Sequence, residues 1–126
     1  MSAGGALRIL LVEDDLLIAL SMEMELRDAG YSVPKRVATG EKAVLAAREE
    51  SPDVILMDIR LAGDIDGVDA ALGIREFSDV PIIFMTGYQD DGTEERARAV
   101  NPLAYLIKPA GLREIRDLLD TIVPRV

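Results

Sequence analysis

Four apolar runs in this sequence end in side chains that, brought together, could manage a phosphoryl group. Glu13-Asp14-Asp15 closes the run Leu7 to Val12, Asp58 closes Val54 to Met57, Thr86 follows Ile82 to Met85, and Lys108 follows Ala104 to Ile107. Carboxylates are hard oxygen ligands for a divalent cation such as Mg2+. A hydroxyl adds a neutral donor and a lysine adds a fixed positive charge. Phosphoryl transfer requires in-line positioning and neutralisation of charge on the equatorial oxygens more than it requires acid–base chemistry. In that chemistry Asp58 is the expected nucleophile, with Thr86 and Lys108 beside it.

Each residue also has a plainer role when read alone. Glu13, Asp14 and Asp15 can serve a helix start, where free amides and the dipole favour acids. Asp58 can be a turn residue, Thr86 a strand-end β-branched residue and Lys108 a solvated charge. Their weight comes from falling at the ends of neighbouring strands.

The elements that must position them follow from the hydrophobic pattern. Five short β-branched or aliphatic runs are each followed by a helical pattern, the alternation of a doubly wound α/β fold with a parallel sheet covered on both faces. Strand one is Leu7 to Val12, and its helix carries Leu17, Leu20 and Met24 at helical spacing before a stop at Gly30. Strand two lies near Tyr31 to Val37. Thr39 caps the second helix, whose stripe is Ala43, Val44 and Ala47, and Ser51-Pro52 ends it. Strand three is Val54 to Met57, and Asp66-Gly67 opens a third helix through Val68, Ala71 and Leu72. Asp66 reads as a cap or turn, so neither it nor Asp64 is assigned to a metal. Strands four and five are Ile82 to Met85 and Ala104 to Ile107. The last helix presents Leu112, Ile115, Leu119 and Ile122 on one face.

The segment Gln89 to Ala99 is mostly Asp, Glu, Arg, Gly and Gln and offers only Ala97, Ala99 and neighbouring Val100 for burial. A weak, mobile fourth helix is expected there. Its charges, Asp90-Asp91 and Glu94-Glu95-Arg96, read as a solvated face, with docking of a kinase or partner as the second reading of an exposed charged segment.

In a doubly wound sheet, ligands sit beyond the carboxyl ends of the strands near the reversal of strand order. Adjacent central strands are about 5 Å apart, so the acids of strands one and three converge. Uncompensated, they repel. Protonation of one of them or a bound Mg2+ relieves this, and the metal is expected.

Composition narrows the function classes. The chain has 126 residues, no cysteine, no histidine and a formal net charge of -9. That length suits one domain, expected to span 1–126 with a core of about 7–124 and no output domain. Without cysteine there is no disulfide or thiolate site, which suits a reducing compartment, and a cytoplasmic location is expected. The negative charge opposes direct nucleic-acid binding, and no apolar run is long enough to span a membrane. With no histidine, a phosphohistidine donor must come from another protein.

The motifs LLVEDD, VILMD, FMTG and YLIKP at the four strand ends resemble those of the response-regulator receiver domains of bacterial two-component systems over essentially the whole chain. This resemblance implies a (βα)5 flavodoxin-like fold with strand order 2-1-3-4-5. It further implies phosphorylation of Asp58 by a partner histidine kinase. Mg2+ would be held by Glu13, Asp14, Asp58 and the backbone carbonyl of Arg60. Thr86 and Lys108 would contact the phosphoryl oxygens. It also implies a cis Lys108-Pro109 bond, and a switch that involves Thr86 with Tyr88 or Tyr105. Such a protein is a phosphoacceptor signalling switch rather than a conventional enzyme, assisting its own phosphorylation and slow dephosphorylation. Its output would be a downstream protein partner met through the fourth and fifth helices and fifth strand, or competition with other receivers as a phosphate sink.

Pro81-Ile82-Ile83-Phe84-Met85-Thr86-Gly87-Tyr88 is also similar to the Pro-Phe-x-Phe-Ala-Thr-Gly-Tyr motif of receivers that serve HWE and HisKA2 histidine kinases, with departures at Ile82 and Met85. The Asp58 to Gly67 loop is one residue longer than the common receiver pattern and reads Leu61-Ala62-Gly63 where Met-Pro is frequent. Three other readings compete. An aspartate-nucleophile phosphatase of the haloacid-dehalogenase type needs a second acid where Arg60 stands. A flavodoxin-like nucleotide binder needs a Gly- or Ser/Thr-rich loop where Glu13-Asp14-Asp15 stands. A pseudo-receiver acting only as a docking module would not need every acceptor-site residue.

Overall fold

The computed structural model describes residues 6–87 and 90–123 of the chain. The apolar runs form strands β1 (Arg8–Val12), β2 (Ser32–Val37), β3 (Val54–Asp58), β4 (Ile82–Thr86) and β5 (Ala104–Ile107). They alternate with helices α1 (Leu16–Asp28), α2 (Gly40–Glu50), α3 (Gly67–Arg75), α4 (Asp91–Arg98) and α5 (Leu112–Leu119). All strand pairs are parallel, in the order β2-β1-β3-β4-β5. Strand order reverses at β1 and β3, so the crevice between their carboxyl ends is the natural ligand site of this architecture. The expected fold class and strand order are both observed.

Period-two alternation sorts the central strands between two cores. Leu10 and Val12, Ile55 and Met57, and Ile82 and Phe84 face the core beneath α2, α3 and α4. Ile9 and Leu11, Val54 and Leu56, and Ile83 and Met85 face the core beneath α1 and α5. Both faces are covered, which is why β3 and β4 read as unbroken apolar runs.

The helices agree with the pattern except where a helix is apolar on more than one side. In α1 the buried residues are Ala19 and Leu26, with Met22 packed beside them. The predicted stripe is outward: Leu17 is 79% and Met24 64% exposed, and Leu20 is also exposed. Apolar residues on both sides of α1 leave its periodicity unable to choose, and only docking on the sheet decides the inner face. In α2, Ala46 joins Ala43 and Ala47 as buried, and Val44 is half-buried. In α3, Val68, Ala70, Ala71 and Ile74 are buried while Leu72 points to solvent. The last helix behaves as expected, with Ile115 and Leu119 buried and Leu112 and Ile122 packed beside them. The fourth helix is present, capped by Asp90, and buries Ala97 and then Val100, while Ala99 is exposed.

Helix starts follow residue type. Asp15 accepts from the Ile18 amide, so it is a cap, and Thr39 accepts from the Lys42 amide. Gly30 has φ of 101°, the left-handed geometry that lets the chain leave α1.

At α3 the cap is reciprocal: the Asp69 amide donates to Asp66 Oδ1 at 2.8 Å, and the Asp66 amide donates to Asp69 Oδ2 at 3.0 Å. Burial pushes the Asp66 carboxyl up, but hydrogen bonds from Arg96 and the Asp69 amide outweigh it and hold Asp66 below its ordinary value. A depressed native value means the cap contributes fully above the unfolded pKa of about 4 and is lost as pH falls through the lower native value. Protection of the amides in the first turn of α3, taken relative to their intrinsic exchange rates, is therefore expected to fall only below about pH 4. The Asp66→Asn variant keeps a capping oxygen and should lack that acid step. An identical pH profile in the variant would show that Asp66 is not the titrating group.

Candidate functional site

The crevice at the carboxyl ends of β1, β3, β4 and β5 collects the predicted residues. Glu13 is positioned by its amide, which donates to the Val37 carbonyl at 3.0 Å and continues the β1–β2 ladder one residue beyond the strand. Asp58 ends β3, and the next amide, Ile59, donates to the Met85 carbonyl. Thr86 ends β4, and its carbonyl accepts from the Lys108 amide at 2.7 Å. Four ladder ends thus fix four side chains with little dependence on loops.

Glu13, Asp14 and Asp58 each offer a carboxylate oxygen, and these lie within 4.8 Å of one another. Glu13 and Asp58 are buried and Asp14 is exposed, so the cluster opens to solvent on one side. Lys108 Nζ donates to Glu13 Oε1 at 2.6 Å and to Asp58 Oδ2 at 3.0 Å. Burial lowers the lysine's proton affinity, but the hydrogen bonds to Glu13 and Asp58 outweigh it and raise its pKa, so the ammonium stays charged. Glu13 Oε2 also accepts from the Asp15 amide, which orients it. Lys108-Pro109 is cis, as the resemblance implied.

Three carboxylates against one bonded ammonium leave a negative surplus at the mouth of the crevice. Hard oxygens with that surplus fit a divalent cation that retains several waters, which is the coordination habit of Mg2+. The donor set therefore suits the ion.

Thr86 is buried, and Tyr105, on β5, packs its ring against the core beneath α2, α3 and α4. The Tyr105 hydroxyl is buried without a hydrogen-bond partner among the described residues. Burial raises its pKa, and Glu94 and Asp90 add to the rise. Tyr88 lies outside the described residues. Arg60 is exposed in the loop after β3. Asp64 meets Glu41 through its amide, and Asp66 caps α3, so neither joins the acidic cluster.

Sequence reasoning missed two features. Gly67 is packed so that a Cβ there would lie 2.3 Å from the Asp58 carbonyl oxygen. Arg96, read as part of a solvated face, forks across Asp66 and Asp69. A Glu/Arg-rich helix gives no sign of which charge reaches another element.

A five-stranded doubly wound sheet with acids at its crossover crevice defines the class: an α/β domain with its site at the strand ends. This chain belongs to the response regulator receiver domain family, whose family model matches residues 9–120. It is similar to the transcriptional regulatory protein PdtaR of Mycobacterium tuberculosis, 32% identical over 118 residues that cover 94% of this chain and 57% of PdtaR. It is also similar to the phyllosphere-induced regulator PhyR of Methylorubrum extorquens, 32% identical over 117 residues covering 91% of this chain and 44% of PhyR. The chain thus spans about half the length of these relatives. Among solved structures, the signal receiver domain of a modulated diguanylate cyclase from Desulfovibrio desulfuricans superposes with a TM-score of 0.87 at 36% identity, covering 94% of each chain. The family is that of the phosphoacceptor switches of bacterial two-component systems, with a histidine kinase as the general partner. Among the described residues, no helix is long and apolar enough to cross a membrane.

Proposed function

We propose that this chain accepts a phosphoryl group on Asp58 from a histidine kinase and signals by phosphorylation-dependent protein binding in the cytoplasm. The observation that carries this reading is the convergence of Glu13, Asp14 and Asp58 within 4.8 Å with Lys108 bonded to Glu13 and Asp58. Glu13, Asp14, Asp58 and the Arg60 carbonyl would hold Mg2+, which supplies charge neutralisation for the phosphoryl oxygens. In transfer, an Asp58 carboxylate oxygen forms the new P–O bond while the P–N bond to the donor imidazole breaks, the electron pair leaving with the imidazole. Lys108, released in part from Asp58, and the Thr86 hydroxyl then pair with the phosphoryl oxygens.

The added charge draws Thr86 toward Asp58 and vacates space beside Tyr105, so Thr86 and Tyr105, with Tyr88, form the switch. The surface of α4, β5 and α5 is the output face, on which Ile107 is exposed. The run Pro81 to Tyr88 supports a kinase of the HWE or HisKA2 class.

Amide spectra recorded with Mg2+ and then with beryllofluoride, a mimic of the aspartyl phosphate, test the reading. Resonances of Thr86, Tyr105 and Lys108 are expected to shift with both additions in the wild type. A wild-type spectrum indifferent to both would leave the chain a docking module rather than a phosphoacceptor.

A further inference from the structure

Helix α4 is the most polar of the helices, and it is held in place by little apolar burial: Ala97 within it and Val100 just after it. Its own first turn is satisfied locally, since Asp90 accepts from the Gly92 amide and from the Thr93 hydroxyl. Two guanidinium groups add polar ties between α4, its exit and the neighbouring elements.

At the carboxyl end, Arg75 of α3 donates to the Val100 carbonyl at 2.9 Å and to the Val80 carbonyl at 2.7 Å. This joins the exit of α4 to the entry of β4. One turn from that end, Arg96 of α4 spans two acids of α3: Nη1 lies 3.0 Å from Asp66 Oδ2, and Nη2 lies 3.3 Å from Asp66 Oδ1 and 3.0 Å from Asp69 Oδ1. Asp66 and Asp69 are themselves locked by their reciprocal capping bonds, so the fork closes on a preorganised pair. The cap in turn sits on the acceptor loop, because the Gly67 amide donates to the Ile59 carbonyl at 2.7 Å.

We propose that Arg96, in the last turn of α4, is a latch that holds the helix onto the amino end of α3, so that breaking it leaves α4 tethered through the Arg75 bond to the Val100 carbonyl and free to shift. The proposal rests on the phosphoacceptor reading only for what the motion would serve. The latch itself operates without a phosphoryl group and is tested without one.

Hydrogen exchange of the full chain, free of Mg2+, is compared for the wild type, Arg96→Ala and Arg96→Lys. In Arg96→Ala the amides of 91–98 are expected to exchange about fivefold faster, the scale of losing one well-formed bidentate pair. The sheet and α5 should be unchanged. Arg96→Lys should fall between the two, because an ammonium can pair with one carboxylate but cannot fork across both. Unchanged exchange in α4 overturns the latch. So does a uniform acceleration over the whole chain, which marks general destabilisation. Failure of beryllofluoride to shift any wild-type resonance would instead strike the phosphoacceptor reading and leave the exchange result standing.

Discussion

Phosphorylation of the Asp58→Ala variant by a small acyl phosphate is expected to fall by more than about a thousandfold, the scale of removing a covalent nucleophile. The neighbouring acids do not rescue it. Glu13 is buried, bonded to Lys108 and oriented by the Asp15 amide, and Asp14 lies at the exposed edge of the cluster. Asp58 is the last residue of β3 and its Oδ2 meets the ammonium at 3.0 Å, whereas Glu13 has one oxygen on Lys108 and the other on the Asp15 amide. The same variant removes one of three crowded carboxylates while Lys108 keeps Glu13 as its partner. Its thermal midpoint without Mg2+ should therefore be no lower than that of the wild type, and the stabilisation conferred by Mg2+ should shrink. Phosphoryl incorporation followed by mass spectrometry, together with melts with and without the ion, checks both halves. Wild-type incorporation in the variant would move the acceptor to another residue.

The second large effect is structural and lies against the backbone of Asp58. Gly67→Ala is expected to destabilise the chain by about 3 kcal/mol, the upper end of overpacking costs. The added Cβ would lie 2.3 Å from the Asp58 carbonyl oxygen and 2.9 Å from the Ile59 Cα. Both obstacles are backbone of β3 and the residue after it, so no rotamer change relieves them. Either the start of α3 moves away or the backbone of Asp58 and Ile59 shifts. The Gly67–Ile59 hydrogen bond at 2.7 Å shows how close the two segments sit. Gly73→Ala, in the same helix, is the internal control: its Cβ would meet Val44 at 3.4 Å, and a helix interior favours Ala over Gly by up to about 1 kcal/mol. Chemical denaturation of the two variants should separate them by several kcal/mol. Equal stability would mean that the tight approach at Gly67 is relieved at no cost.

Legibility in the sequence varied with how local the physical cause is. Strand positions were readable because β3 and β4, covered on both faces, must be apolar throughout, and because Pro81, Pro102 and Ser51-Pro52 punctuate them. Caps were readable for the same reason: Thr39, Asp15 and Asp66 satisfy amides three residues away. Buried faces were less so. Leu17, Leu20 and Met24 have the spacing of an inner stripe, yet Ala19, Met22 and Leu26 do too, and the sheet accepted the second set. In α3, likewise, Val68 and Ala71 are buried while Leu72 is exposed, a division that the apolar pattern of one short helix does not settle.

By itself, the sequence determined which residues stand at the strand ends, because hydrophobic alternation and turn chemistry act over a few residues. It thereby placed Glu13, Asp14, Asp58, Thr86 and Lys108, the proposed acceptor-site set, at the carboxyl end of the sheet. Only the tertiary structure decided that Lys108 bonds both Glu13 and Asp58, that Gly67 packs against the Asp58 backbone, and that Arg96 binds Asp66 and Asp69 across 30 and 27 residues of chain. Those contacts depend on distances between elements, and such distances are set by how side chains pack between sheet and helix, a sum over the whole core that no local pattern carries.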